Sequence, residues 1–154
     1  MQRSPAGIDY YVSTTPASWD QARAACQALG LPLVIIRSKE VDDDLISLVQ
    51  QLQVTEFWAG ASDAAQEGTW VWVDGSPVVY SGWLPNEPNN GGLSGTSAEE
   101  CLWVAVGSLW RLGRALWVDG PCESARSYVC GDAGEAGEAA SQSGDAVALP
   151  DNNK

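Results

Sequence analysis

Eight oxygen-bearing side chains crowd into the middle of the chain. Asp63 and Glu67 come first, Glu87, Asn89 and Asn90 follow within a loop, Glu99 and Glu100 close that loop beside Cys101, and Asp119 stands shortly before Cys122. A bond between Cys101 and Cys122 would draw Glu99, Glu100 and Asp119 into one neighbourhood. Clustered carboxylates raise each other's pKa unless a cation sits between them. The chain contains no histidine, and its donors are hard oxygens, which favour calcium over zinc or copper.

The same composition excludes other chemistry. Without histidine there is no Ser-His-Asp triad, no His-paired cysteine nucleophile and no His-ligated zinc. The 154 residues carry 20 acidic and 8 basic side chains, a formal charge of −12. The basic residues are scattered, so nothing here tracks nucleic-acid phosphates. No apolar run approaches the roughly 18 residues of a membrane span. The four cysteines, Cys26, Cys101, Cys122 and Cys130, include no C-x-x-C pair. An even, widely spaced set predicts two disulfides and an oxidising compartment, hence a secreted or extracellular protein, with the pairing open and four buried thiols as the alternative. Met1–Gly7 lacks the apolar stretch of a signal peptide, so either this is a mature or excised piece of a larger secreted protein or the compartment is not an oxidising one.

The elements that must position the donors are read as follows. A folded domain spans residues 8–131. Residues 132–154, rich in Gly, Ala, Ser and acids and without an aromatic residue, are expected to be a disordered acidic tail, because such a segment buries too little surface to offset its ordering entropy. Ser18 followed by Gln21 has the form of a capping box, and Ala22, Ala25, Cys26 and Leu29 recur at helical spacing before Gly30. A second helix starts after Ser38, with Val41, Leu45, Leu48, Val49 and Leu52 on one face. Asp42, Asp43 and Asp44 fall in its first turn, where negative charge suits the helix dipole, and are expected on a solvated face. Strands are predicted at Tyr10–Val12, at Thr69–Val73 returning as Val78–Tyr80, and at Cys101–Val106, Ala115–Val118 and Ser127–Cys130. Between Ser81 and Glu100 lies a long Pro-, Gly- and Asn-rich loop of the kind that is usually functional or disordered. Two helices followed mostly by strands predict an α+β fold. Most of the eight tryptophans are expected in the core, with Trp110 exposed.

The segment Trp70-Val71-Trp72-Val73-Asp74-Gly75, then Trp83, Glu87-Pro88-Asn89, Glu99-Glu100-Cys101, and Trp117-Val118-Asp119 with Cys122 and Cys130 resembles the C-type lectin domain over roughly residues 9–131. The resemblance implies the bridges Cys26–Cys130 and Cys101–Cys122, the short form of the fold, and a non-enzymatic, calcium-dependent sugar-binding function. Glu-Pro-Asn in this family is associated with mannose-type sugars: mannose, glucose, N-acetylglucosamine and fucose. Glu87 would then accept a hydrogen bond from one sugar hydroxyl and Asn89 would donate one to its neighbour. A cis bond before Pro88 would face both residues toward the ion. Glu99 and Asp119 complete the implied calcium site, and Asp63, Glu67, Asn90 and Glu100 match a second.

Three departures from the family pattern stand out. Trp58-Ala59-Gly60-Ala61 replaces the usual Trp-Ile-Gly-Leu, changing core volume. Gly91–Ala98 makes the loop longer than is usual. Val118 occupies a position normally held by asparagine, and valine offers neither an oxygen to calcium nor an amide to a hydroxyl. About seven oxygens would remain, within calcium's tolerance. The Val118 departure favours an alternative, a lectin-like domain that recognises a protein or ice. A glycosidase pair formed by Glu87 and Glu99 is disfavoured, because a metal would neutralise both carboxylates.

Overall fold

The fold comes from a computed structural model, which describes residues 1–90, 98–106 and 116–134. Among these residues, seven strands and two helices run in the order β1 (Gln2–Arg3), β2 (Asp9–Ala17), α1 (Trp19–Ala28), α2 (Lys39–Gln51), β3 (Glu56–Ser62), β4 (Val71–Trp72), β5 (Cys101–Ala105), β6 (Leu116–Gly120) and β7 (Arg126–Cys130). The strands lie in the spatial order β1-β2-β7-β3-β5-β6, with β4 branching from β3. Among these strands the β3–β7 pairing is parallel and the others are antiparallel. The architecture is α+β, with the bridges Cys26–Cys130 and Cys101–Cys122 that the resemblance implied.

Both helices start where their caps require. Ser18 accepts from the Gln21 amide while the Gln21 side chain accepts from the Ser18 amide, closing the capping box. Gly30 follows with φ +76°, the left-handed geometry that ends a helix. Ser38 caps α2 through the Val41 amide. The apolar face of α2 (Val41, Leu45, Leu48, Val49) packs with Ile36, Phe57, Leu102, Val104, Trp117 and Val129 in the larger core. A smaller core joins α1 to Leu33, Trp58, Tyr128 and the Cys26–Cys130 bridge. There the Trp19 indole donates to the Ala59 carbonyl (2.9 Å) and the Trp58 indole to the Ala17 carbonyl (2.8 Å).

Several elements differ from the sequence expectation. The central strand β3 was not predicted. Its interior residues are all buried, so it lacks the alternation that marks a half-exposed strand. Gly60 lies so close to the neighbouring chain that a Cβ would collide with the Leu33 carbonyl. The expected hairpin shrinks to Val71–Trp72 with a single bridge from Val71 to Pro77, since Pro77 has no N–H with which to extend a ladder. The acid run is not wholly solvated: Asp42 is fully buried. Before residue 8, β1 pairs with β2, and beyond residue 131, Asp132 forms an ion pair with Arg37 (2.9 Å) while Ala133 joins the larger core. Trp110, most of the Gly91–Ala98 stretch and most of the expected tail lie outside the described residues. Trp19, Trp58, Trp70, Trp72 and Trp117 are core residues.

Candidate metal centre

The β5–β6 hairpin sets the stage. Its register pairs Cys101 with Gly120 and Leu102 with Asp119. Glu99 and Glu100, just before β5, therefore lie at the same end of the hairpin as Asp119. The Cys101–Cys122 bridge ties that end together.

The third piece arrives from the long loop, which is pinned to β6 at two levels. At the first, Trp117 N–H donates to the Gly82 carbonyl (2.9 Å) and the Leu84 amide donates to the Trp117 carbonyl (2.9 Å). Beyond that point the Glu87 amide donates to the Leu84 carbonyl, and the Glu87–Pro88 peptide is cis. At the second level, the amides of Asn89 and Asn90 donate to the two carboxylate oxygens of Asp119 (3.0 and 2.7 Å). Asn90 reaches this position with φ +48°, a conformation asparagine tolerates better than most residues.

Carboxylate oxygens of Glu87, Glu99 and Asp119 converge to within 4.8 Å of one another. Among the described residues this is the one such group of three acidic, cysteine or histidine side chains. Asp119 is buried, while Glu87 and Glu99 are half-buried. Asn89 Nδ2 donates to Glu87 Oε2 (2.8 Å), whereas Glu87 Oε1 is buried without a donor among the described residues. Burial pushes the Glu87 carboxyl up to about 8, and hydrogen bonding to Asp119 and the charges of Asp119 and Glu99 add to the rise. An orphaned, desolvated carboxylate oxygen among like charges is a place where a cation lowers the energy, and an all-oxygen donor set suits calcium.

The residues expected around a second ion are arranged differently. Asp63 is buried, with Oδ2 accepting from the Gly68 amide (2.8 Å) and Oδ1 buried without a partner among the described residues. The Asp63 amide donates to the Glu100 carbonyl (3.1 Å), and Asn90 Oδ1 accepts from the Glu99 amide (3.0 Å). Glu67 is exposed, and its carboxyl is raised by desolvation and by Asp63. Val118 stands opposite Trp103 in the ladder and contributes no polar atom.

Residues 15–132 match the family model described as the lectin C-type domain. The chain belongs to the C-type lectin family. It is 38% identical over 122 residues to the low affinity immunoglobulin epsilon Fc receptor of Mus musculus, covering 79% of this chain and 33% of that protein. The chain thus spans about a third of the length of the curated relatives it matches. Its fold is similar to the cow CD23 carbohydrate-recognition domain determined in the presence of GlcNAc2Man3 oligosaccharide (33% identity, TM-score 0.65, 84% of this chain and 88% of that one). It is likewise similar to a Ca2+-dependent type II antifreeze protein in its Ca2+-free form (27% identity, TM-score 0.67, 80% and 90%). C-type lectin domains are non-enzymatic binding proteins, which removes the glycosidase alternative. No helix among the described residues of this lectin domain is long and apolar enough to cross a membrane.

Proposed function

We propose that this domain recognises carbohydrate through a bound calcium ion and prefers mannose-type sugars: mannose, glucose, N-acetylglucosamine or fucose. The convergence of the Glu87, Glu99 and Asp119 carboxylates, with Asn89 hydrogen-bonded to Glu87, carries this proposal. Glu87, Asn89, Glu99 and Asp119 would hold the ion. When bound, calcium supplies a Lewis-acidic centre for vicinal sugar hydroxyls. Glu87 then accepts from one hydroxyl and Asn89 donates to its neighbour. Asn89 now donates to Glu87 Oε2, so a hydroxyl pair must replace that bond with two equivalents. Asp63, Glu67, Asn90 and Glu100 are assigned to a second calcium ion whose role is to stiffen the loop. The two disulfides fit a secreted or extracellular setting. The oligosaccharide in the cow CD23 structure and the Ca2+ dependence named for the antifreeze relative support sugar and ion binding.

Calorimetry tests this directly: calcium into the metal-free domain, then mannose into the loaded one. Calcium should compete with the proton that the raised Glu87 holds at neutral pH. Affinity is therefore expected to rise as pH climbs toward and past 8, with proton release visible as a dependence of the heat on buffer ionisation enthalpy. A silent calcium titration with folded protein sinks the proposal.

Val118 weakens the sugar side. A hydroxyl that loses its amide donor costs about 1–3 kcal/mol. Val118→Asn is therefore expected to tighten mannose binding by about tenfold or more, read as retention on a mannose resin released by EDTA. The same valine, with the antifreeze relative, favours a second reading in which the ligand is a protein or ice. Under that reading Val118→Asn gains nothing on mannose.

A further inference from the structure

The sequence marks Asp42 as one of three surface acids, yet it packs beneath the entry to the long loop, against Tyr80 and Trp117. It is fully buried. Its Oδ2 accepts from the Tyr80 hydroxyl (2.8 Å) and from the Trp117 indole N–H (3.1 Å). Its Oδ1 is buried without a partner among the described residues. Both donors therefore converge on a single oxygen. Tyr80 stands at the entry to the long loop, and Trp117 is the residue whose backbone holds Gly82 and Leu84. The Trp117 ring is also met edge-on by Trp72, Tyr80 and Trp83. Gly82 leaves room for the arrangement: a Cβ there would sit 3.0 Å from Asp42 Oδ2 and 3.1 Å from Trp117 Nε1.

Resting on the calcium-site assignment above, we infer that Asp42 is a positioning residue for the metal centre: through Tyr80 and Trp117 it fixes the loop entry against β6, and so sets where Glu87 and Asn89 meet Asp119. The chain of contacts is continuous. Asp42 holds the Trp117 indole, the Trp117 backbone holds Gly82 and Leu84, and the Leu84 carbonyl accepts the Glu87 amide. Two residues further along β6, Asp119 accepts the Asn89 and Asn90 amides. Asp42 touches neither the ion nor the sugar. An aspartate is costly here, because desolvation pushes its carboxyl up to about 7 against the pull of the Tyr80 and Trp117 donors, with Asp43 and Lys39 the other charges facing it. A side chain that only filled space would be better apolar. The function that remains is acceptance of two hydrogen bonds at one atom, which asparagine can also perform.

The test compares wild type with D42A, D42N and G82A by amide exchange in EDTA and by calcium calorimetry. In the metal-free protein D42A is expected to speed exchange at Asn89 and Asn90 by about tenfold or more, while Val34, which donates to the Val129 carbonyl in the sheet, keeps its protection. Calcium affinity should fall by about tenfold in D42A, whereas D42N should bring both readouts back to within about threefold of wild type. G82A removes no group but sets a Cβ 3.0 Å from Asp42 Oδ2 and 3.1 Å from Trp117 Nε1, so that the pair must shift; it should change both readouts in the direction of D42A and serves if D42A does not fold. Unchanged Asn89 and Asn90 exchange in D42A or G82A, or a D42N that behaves like D42A, overturns the role of Asp42. A wild type silent to calcium instead overturns the calcium assignment on which that role rests.

Discussion

Asp119→Asn is expected to abolish calcium binding by the domain at millimolar calcium. Three losses coincide at this residue. It supplies one of the three converging carboxylates, and removing its charge removes much of the field that attracts a divalent cation. It accepts the Asn89 amide on one oxygen and the Asn90 amide on the other. An asparagine side chain of the same shape accepts at only one of those atoms, so one part-buried amide loses its partner, at about 1 kcal/mol. Finally, the turn that carries Glu87 and Asn89 keeps its Leu84–Trp117 tie to β6 but loses one of the two amide bonds that hold its far end. The combined effect on calcium affinity is expected to reach about 100-fold or more. Thermal melting with and without calcium gives a simple readout. Wild type in calcium at about 100 times its dissociation constant gains about 2.7 kcal/mol, and the variant at the same calcium concentration should gain no more than about 0.4 kcal/mol.

The metal-free form of this variant gives an independent check through Glu87. The wild-type carboxyl is raised in the folded state from 4.5 to about 8. Its contribution to stability is present below pH 4.5 and is lost as pH rises through about 8. Metal-free wild type should therefore lose stability over that window. Asp119→Asn removes one of the charges and the hydrogen-bond partner responsible, and should flatten the profile. A variant that still responds to calcium like wild type, with an unchanged pH profile, would show that Asp119 is not at the centre of the site.

Fold and candidate site are legible in the sequence wherever the signal is local. Glu87, Asn89, Glu99 and Asp119 were legible because oxygen donors concentrate in a loop with no periodicity, and because the Glu-Pro-Asn triplet and the Trp-Val-Asp run resemble a known pattern. The helices were legible from Ser18, Ser38 and their apolar spacing, all short-range features. The strand at Glu56–Ser62 was not, because burial on both faces erases alternation and its small residues Ala59, Gly60 and Ala61 carry little strand propensity. Asp42 was misread for the opposite reason. An acid in the first turn of a helix has a sufficient local explanation in the dipole, and only the packing of Tyr80 and Trp117, 38 and 75 positions away, gives it another. Val118 was visible as a departure, but its setting opposite Trp103 needed the strand register.

The two disulfides are expected to separate fold stability from site integrity. Cys26–Cys130 closes a span of 104 residues and joins α1 to the last strand of the sheet. Chain entropy assigns a loop of that size about 5 kcal/mol, a large share of the 5–15 kcal/mol typical of a domain. The bridge lies in the smaller core, with Trp19, Tyr128 and Cys101, but the elements it joins, α1 and β7, carry none of Glu87, Glu99 and Asp119. C26A/C130A should therefore unfold at much lower denaturant, while its folded fraction binds calcium with affinity close to wild type. Cys101–Cys122 closes only 21 residues, for which the same argument gives about 3 kcal/mol. Yet this bridge holds the end of the β5–β6 hairpin where Glu99 leaves the ladder and Asp119 enters the site. C101A/C122A should be the more stable of the two double variants and the weaker calcium binder, by about tenfold or more in affinity. Denaturation in EDTA and calorimetry with calcium, both run under non-reducing conditions, measure the two quantities independently. Equal losses of calcium affinity in both variants, after correction for folded fraction, would mean that the short bridge has no special part in gathering the carboxylates and that the hairpin register alone suffices.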